Sequence, residues 1–404
     1  MMWASERPEG RGSGRASLTT ALLVAGGMVT LGLSYLFQVI TVRNRTADEY
    51  AEVAVMMSMI SLLGLLAFPV RTHVLTYFAR DEIDPDGSIH QRPPTIRNYF
   101  RFSFKATLVV LIVAVLIAPA FTVEFESLVT LGTFAIPMSL SGYVSGALLG
   151  LKRERLLVVV GILYSLGKLG CGIILVFLDL PNWFLFVGIA ASTSLIVVCV
   201  IGRTAKSVQS SPELTIRWAL PPLYGIATVL FFSQVDIIGL GLIQSDLVSS
   251  RYAAAAVTGK IVLLVAVSIS DLIQPKLLDT RTSSEERVRI QLESYFGIFA
   301  SGTVVTILLW LAGERIIPTL LGSNYSDLGK LPASLAIVGT LQGLSICAGY
   351  FLISHGKANR LWLFALGNVV ILAMSRYWVS SEWQLLCVTL IVSIVLFSIV
   401  GIRV

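Results

Sequence analysis

The chain has few charged residues and little of what builds a catalytic centre. Of its 404 residues, 13% are charged and 55% are hydrophobic, which excludes an ordinary soluble domain. The three histidines and four cysteines show no metal-ligand spacing, and the P-loop, G-x-G-x-x-G and H-E-x-x-H motifs are absent. The longest stretches between apolar segments, 71–102 and 313–330, are too short for a catalytic domain. An enzyme, a metal site and an organic cofactor are therefore not expected.

What the sequence has is a series of long apolar runs. Each is about 20 residues long, which is enough to cross ~30 Å of hydrocarbon as a helix. The sequence therefore predicts an all-α, polytopic membrane protein with about twelve transmembrane helices. The predicted spans are 18–41, 50–70, 103–123, 128–150, 156–178, 183–202, 218–243, 252–275, 291–312, 331–354, 360–378 and 383–402.

The lysines and arginines between these runs alternate between dense and sparse segments. If the N-terminus is cytoplasmic, 22 of the 30 cations lie in inside segments, 6 in outside segments and 2 within spans. This split predicts, by the positive-inside rule, a multi-pass protein of the cytoplasmic membrane with both termini in the cytoplasm. The net charge of +6 then reflects orientation and contact with anionic lipid, and nucleic acid is not an expected partner.

Two short patterns recur at equivalent topological points. Y-A-x-x-A-V opens span two at Tyr50 and span eight at Tyr252, and K-x-x-R-L follows span four at Lys152 and span ten at Lys357. The repeats predict two pseudo-symmetric six-helix bundles of the same orientation, an arrangement that flanks a central cavity in rocking transporters. The predicted domains are an N-terminal tail at 1–17, a first lobe at 18–203, a linker at 204–217 and a second lobe at 218–404.

Several charged residues lie inside predicted spans. A charge at the bilayer centre costs about 2.5–3.5 kcal/mol unless it meets water or a partner. Lys168 lies near the middle of span five and Lys260 near the middle of span eight, one in each half. Asp236 lies on span seven at a depth similar to that of Lys260, so the two are placed to pair. Asp271 follows Lys260 by three helical turns, which predicts that both lie on one face of span eight.

These residues have a structural and a functional interpretation. In the structural one, Asp236 and Lys260 form an ion pair that only joins two spans, and Lys168 bonds backbone carbonyls at a helix contact. In the functional one, Lys168, Lys260, Asp236 and Asp271 line a substrate cavity. Arg71, at the inner end of span two, is either a topology residue or a guard of the cytoplasmic entrance.

Short motifs resemble those of the polysaccharide repeat-unit flippases. In that family an aspartate near the outer end of span seven precedes a tyrosine that opens span eight, and a proline closes that span. The segments that match here are Gln234–Gly241 (QVDIIGLG), Tyr252–Ala254 (YAA), Gln274–Leu277 (QPKL), Leu321–Tyr325 (LGSNY) and Thr46–Tyr50 (TADEY).

The resemblance implies a member of the multidrug/oligosaccharidyl-lipid/polysaccharide exporter superfamily, with a cationic cavity between two rocking lobes. The implied substrate is an oligosaccharide on a polyprenyl diphosphate. The first span has no match to the cavity arginines of lipid II flippases, which favours a surface polysaccharide such as lipopolysaccharide, or an exopolysaccharide. Implied partners are the lipid-linked oligosaccharide, membrane lipids, a polysaccharide polymerase and glycosyltransferases. The coupling ion stays open between Na⁺ and H⁺.

Three alternatives remain at this stage. A cation-coupled multidrug or small-molecule antiporter of the same superfamily would use an acidic or aromatic lumen, which Asp236 and Asp271 allow and which Lys168 and Lys260 oppose. A major-facilitator transporter also has six plus six spans, but the G-x-x-x-D-R-x-G-R-like motif is missing after span two. A scaffold without transport is the third alternative.

Overall fold

The computed structural model describes residues 13–67, 70–71, 74, 96–121, 123–151, 153–204, 220–243, 246–278, 282–355 and 357–401. All regular structure in these ranges is helical. The helices are α1 Ser13–Asn44, α2 Ala47–Leu63, α3 Ile96–Ile117, α4 Phe125–Gly150, α5 Glu154–Phe177, α6 Asn182–Thr204, α7 Leu220–Leu240, α8a Asp246–Gly259, α8b Ile261–Leu278, α9 Ser284–Leu321, α10 Leu331–Ser354, α11 Trp362–Tyr377 and α12 Glu382–Val400.

Every predicted span overlaps at least one of these helices, and the predicted all-α polytopic class is confirmed. Within the described residues, seven helices are long and apolar enough to cross a membrane, and α8a with α8b makes an eighth if the bent pair is one span. Helices α2 and α11 have 17 and 16 residues and fall below that length. The full count of twelve spans stays a prediction.

The exterior of the bundle carries many apolar side chains, and a set of polar and charged residues is buried within its mainly hydrophobic interior. Leu116 of α3 and Leu311 of α9 are exposed, whereas Asp236, Gln342 and Thr389 are completely buried. This arrangement is typical of a protein that faces lipid, because polar groups in hydrocarbon must find partners inside the protein.

Helix packing in the first half, α1–α6, recurs in the second half, α7–α12. Helix α1 packs on α5 as α7 packs on α11, and α3 packs on α4 as α9 packs on α10. Likewise α4 contacts α6 as α10 contacts α12. The recurrence agrees with the six-plus-six repeat read from the sequence. The predicted linker at 204–217 lies almost wholly outside the described residues, and the domain limits stay predictions.

The two halves meet through α1 and α2 on one side and α7, α8a, α8b and α9 on the other. We call the end of the bundle that holds the turn between α1 and α2 the turn end, and the positive-inside rule predicts that it is extracellular. The largest buried cluster joins residues of both halves near this end, including Phe37, Tyr50, Leu240 and Tyr252. Two further clusters, around Tyr99 and around Ile298, each belong to a single half. The described residues therefore pack the two halves together at the turn end.

Span eight differs from the prediction. It was expected as one continuous helix, but α8a and α8b meet at a 49° bend, with Lys260 as the residue between them. The inference that Lys260 and Asp271 share one helical face assumed a straight helix, and that assumption is wrong. The bend lies where Gly259 touches the backbone of α10 at Pro332 and Ala336, a contact too close for any larger residue.

Candidate functional site

A buried ionic network joins α7 to α8a and to the residue at the bend in α8. Lys260 Nζ donates to Asp236 Oδ1 at 2.6 Å and to the carbonyl oxygen of Ser233 at 3.3 Å. The hydroxyl of Tyr252, on α8a, donates to Asp236 Oδ2 at 2.6 Å. Asp236 and Tyr252 are fully buried and Lys260 is 6% exposed. Each carboxylate oxygen thus has its own donor, and the predicted contact between Asp236 and Lys260 is confirmed.

The local sequence explains why α8a comes so close to its neighbours. Residues 253–256 are four consecutive alanines, all buried, and α8a packs on α2, α7 and α10. Small residues let transmembrane helices approach closely. Gly259 extends this close contact to the backbone of α10. The side chain of Lys260, at the end of this segment, then reaches the carboxylate on α7.

The same part of α7 accepts hydrogen bonds from two further helices. Gln342 of α10 donates to the carbonyl oxygen of Phe232 at 3.0 Å, and Asn368 of α11 donates to that of Thr228 at 3.0 Å. Both amides are buried, and their own oxygens have no hydrogen-bond partner among the described residues. The face of α7 next to Asp236 therefore carries polar contacts over about two turns, from Thr228 to Asp236.

Lys168 lies in a different environment from Lys260. It is on α5, is 7% exposed, and its Nζ lies 4.6 Å from the centre of the Phe37 ring on α1. Among the described residues, no carboxylate lies within 4.0 Å of this ammonium. Helix α1 also packs against α8a and α9, so that Lys168 is one helix away from the interface between the halves. The two lysines occupy similar positions in the two halves of the sequence, but Lys168 contacts an aromatic ring and Lys260 contacts a carboxylate.

The two other predicted site residues are not brought into this network by any described contact. The main chain of Arg71 packs on α4 at Gly146, near the buried residues Val70 and Val74 of the first half. Asp271 belongs to α8b, but its side chain lies outside the described residues. Their predicted roles stay predictions.

A second polar feature, which we call the acidic vestibule, lies between the halves at the turn end. It is a cavity of about 260 Å³ lined by four carboxylates of the first half and by three residues of the second. The acids are Asp48, Glu49, Glu52 and Glu124, and the residues opposite are Leu240, Gly241 and Ser249.

Hydrogen bonds hold this vestibule in shape. Both oxygens of Glu52 are bonded, one by the backbone N–H of Glu124 at 3.3 Å and the other by the side chain of Asn182 at 2.6 Å. Glu49 pairs with Arg45 and closes a capping box with Thr46 at the start of α2. The carboxylate of Glu52, followed by partial burial and by Glu126 and Glu49, raises the pKa of Glu124 above its ordinary value.

Sequence reasoning missed several residues that shape these sites. Tyr252 was noted only as part of a motif, and its bond to Asp236 depends on the bend in α8. Arg45 was counted as an outside topology charge, yet its side chain is 3% exposed and donates to the carbonyl oxygens of Leu175 and Leu180. An arginine directly before a capping box was the available signal, but its partners lie 130 residues away.

Comparison with known proteins finds similarity of structure only. No family model and no curated protein matches the chain. The MATE multidrug transporter DinF-BH matches with a TM-score of 0.65 at 13% identity, covering 98% of each chain. The lipid II flippase MurJ, in an inward closed conformation, matches with 0.67 at 10% identity, covering 94% of this chain and 87% of that one. A MOP superfamily transporter from Pyrococcus furiosus matches with 0.55 at 13% identity, covering 96% and 94%.

The comparisons identify the fold as that of the MOP superfamily transporters. The three proteins named here are described as transporters, and their fold is the one that the sequence resemblance implies. At these identities they concern the fold alone, and they include both multidrug transporters and a lipid flippase.

Proposed function

We propose that this chain is an alternating-access transporter that moves a polyprenyl-diphosphate-linked oligosaccharide across the cytoplasmic membrane. The observation that carries the proposal is the environment of Lys168, a buried ammonium beside an aromatic ring and without a described carboxylate partner. The glycan is a repeat unit of a surface polysaccharide or exopolysaccharide, and the polymerase and glycosyltransferases that handle it are the expected partners.

A buried ammonium is costly unless an anion or strong acceptors compensate it. The Phe37 ring supplies about 0.5–2 kcal/mol of cation–π attraction, which is less than an ion pair in a dry site supplies. A diphosphate carries negative charge and many acceptor oxygens, and lysine is a common point-charge ligand for phosphate. Lys168 is therefore suited to bind the headgroup of such a lipid.

The rest of the molecule supports the same substrate class. The diphosphate and the sugar hydroxyls need a polar path, because they cannot enter hydrocarbon without losing their hydrogen bonds. The buried polar face of α7, with Gln342 and Asn368, offers donors and unpaired acceptors along such a path. The apolar exterior leaves the polyprenyl tail in the bilayer. One of the proteins with this fold is the lipid II flippase MurJ.

The test compares two lysines, each of which lies over an aromatic ring of its own. Purified protein in proteoliposomes is given a fluorescent polyprenyl-diphosphate disaccharide, and transfer between leaflets is followed by a membrane-impermeant quencher. We expect Lys168→Met to lower transfer at least tenfold and Lys168→Arg to retain part of it, because arginine keeps the charge but changes the geometry. Lys330→Met is the matched control, because Lys330 also lies over an aromatic ring, 5.2 Å from that of Trp310, but outside the predicted spans.

Wild-type protein that transfers no diphosphate lipid would contradict the proposal. Equal transfer by the wild type and by Lys168→Met, at equal amounts of folded protein, would remove Lys168 from the site. Loss of transfer in Lys330→Met to the same degree would show a general effect on folding instead.

A second candidate is a multidrug or small-molecule antiporter. The acidic vestibule favours it, because four carboxylates beside one cavity attract organic cations. Transfer of a fluorescent organic cation in the same proteoliposomes, driven by a Na⁺ or H⁺ gradient and abolished by Glu52→Gln, would support the antiporter. The absence of such transfer, together with lipid transfer that depends on Lys168, would exclude it.

A further inference from the structure

We propose that Asp236 is the fixed part of a latch that holds α8a against α7, and that a diphosphate headgroup opens the latch by taking Lys260 away from Asp236. This inference rests on the proposed function, since it assigns the opening signal to the proposed substrate. It goes beyond that function because it gives the ion pair a conformational role and explains the bend in α8.

The geometry makes one carboxylate the meeting point of three segments. Asp236 belongs to α7, Tyr252 to α8a, and Lys260 is the residue between α8a and α8b. The two bonds to Asp236 are both 2.6 Å long and both are buried. A neutral hydroxyl and an ammonium thus hold α8a at two points, 8 residues apart, to a single side chain of α7.

Of the two groups that donate to Asp236, only Lys260 carries a positive charge that another anion attracts. Its ammonium has three donors, of which two are used by Asp236 and the carbonyl oxygen of Ser233. A diphosphate can compete for it because phosphate oxygens are strong acceptors of charge-assisted bonds. The carboxylate left behind is buried beside Tyr252 alone, and an unpaired buried charge is unfavourable. Release of Lys260 therefore weakens the contact of α8a with α7.

The bend is the place where α8a can move relative to α8b. Gly259 packs on the backbone of α10, with no room for a side chain, so that the end of α8a is held as a pivot. Helix α8a packs on α2 of the first half, whereas α8b packs mainly on α9 and α10 of its own half and touches the first half only weakly, at α1. A change in the angle at Lys260 therefore acts on the interface between the halves, which is the interface that must open in alternating access.

The experiment measures the position of α8a directly. Spin labels are placed at Leu247 on α8a and Tyr377 on α11, both highly exposed, after replacement of the four native cysteines. Helix α11 serves as the reference because it packs on α7. A second labelled pair, Val369 on α11 and Ile391 on α12, is the control for general distortion.

The probes are polyprenyl diphosphate, polyprenyl monophosphate, neutral polyprenol and inorganic pyrophosphate. We expect polyprenyl diphosphate to produce a second distance between Leu247 and Tyr377, and polyprenol to leave the distance unchanged. An effect of pyrophosphate alone would show that the free diphosphate is sufficient, and its absence would show that the lipid is required. The distance between Val369 and Ile391 should stay constant throughout.

Two variants test the latch without substrate. Asp236→Asn should populate the second distance in the absence of any probe. If Lys260 is released from Asp236 in about one wild-type molecule in ten, the variant should also bind polyprenyl diphosphate about tenfold more tightly than the wild type. Tyr252→Phe removes one of the two bonds, keeps the charges, and should give a smaller shift of the same kind. Tyr252→Phe keeps the test decisive if Asp236→Asn does not fold.

The outcomes separate this inference from the proposed function. If the lipid binds and depends on Lys168, but the distance from Leu247 to Tyr377 is unchanged by the lipid, by Asp236→Asn and by Tyr252→Phe, the latch is overturned and the transport proposal stands. If the variants move α8a but no diphosphate probe binds, both the transport proposal and the diphosphate as the opening signal are overturned.

Discussion

Lys260 and Asp236 form an ion pair with 2.6 Å between Nζ and Oδ1. Lys260 is the residue at which α8 bends, and Asp236 lies on the neighbouring helix α7. The pair is buried and shares Asp236 with Tyr252. A buried pair of this kind is weak evidence for stability by itself, because desolvation offsets much of the attraction between the charges. Its position at a helix break makes a conformational role the more specific interpretation.

The first prediction concerns the energetic coupling of this pair. Asp236→Asn should lower the free energy of unfolding by about 3–5 kcal/mol, because Lys260 is left buried without its anion. The same substitution in a Lys260→Met background should cost much less. The measurement is thermal or denaturant unfolding of purified protein in detergent for the four members of the cycle. Additive effects would mean that the two residues act separately.

The second prediction concerns Gly259. A methyl group there would meet the carbonyl oxygen of Pro332 and lie 2.7 Å from Cβ of Leu335. Gly259→Ala should therefore destabilise the protein by about 1–3 kcal/mol, as overpacking does in other tightly packed sites. Gly170→Ala on α5 is the control, because nothing lies within 4 Å of the added methyl group there. That variant should be neutral or gain about 0.5–1 kcal/mol.

The third prediction concerns the pH dependence of the acidic vestibule. Because Glu52, partial burial, Glu126 and Glu49 raise the pKa of Glu124, the packed state holds the proton more tightly than the unfolded chain does. The contribution of Glu124 to stability is therefore fully present below its ordinary pKa of 4.5 and is lost as the pH rises through the raised value.

Glu124→Gln should flatten this part of the pH profile of the melting temperature. Glu314→Gln, at an exposed acid of α9 outside the vestibule, is the control and should leave the profile unchanged. The test is the difference between the two profiles, because the lowered pKa of Glu49 contributes stability of the opposite pH dependence in both proteins. A Glu124→Gln profile that runs parallel to that of the wild type would show that Glu124 is not coupled to the other acids of the vestibule.

The fourth prediction concerns orientation. The charge alternation places Ser326 outside and Ser284 in the cytoplasm, and both are exposed near opposite ends of α9. In a background without native cysteines, an impermeant thiol reagent added to intact cells should label Ser326→Cys and not Ser284→Cys. Labelling of Ser284→Cys alone would reverse the topology, and labelling of both would contradict a membrane-spanning α9.

The sequence by itself determined the class of protein and the positions of its helices. Apolar runs that cross a bilayer must form helices, because their backbone groups have no water to bond to. Hydropathy along the chain therefore locates these helices without knowledge of their tertiary contacts. The Y-A-x-x-A-V motif, which occurs at Tyr50 and again at Tyr252, likewise predicted the repeated packing of the two halves. The pairing of Asp236 with Lys260 was also predicted, because the two residues lie at a similar depth on adjacent antiparallel helices.

Only the tertiary structure decided how these charges are used. Lys168 and Lys260 look equivalent in the sequence, yet one faces a phenylalanine and the other a carboxylate. The difference arises from contacts between helices, which depend on the bend at Lys260 and on the close approach of Gly259 to α10. Neither contact leaves a periodic signal along the chain. A single-residue break in a helix is set by what packs against it, and the packing partner here, Pro332, lies 73 positions away from Gly259.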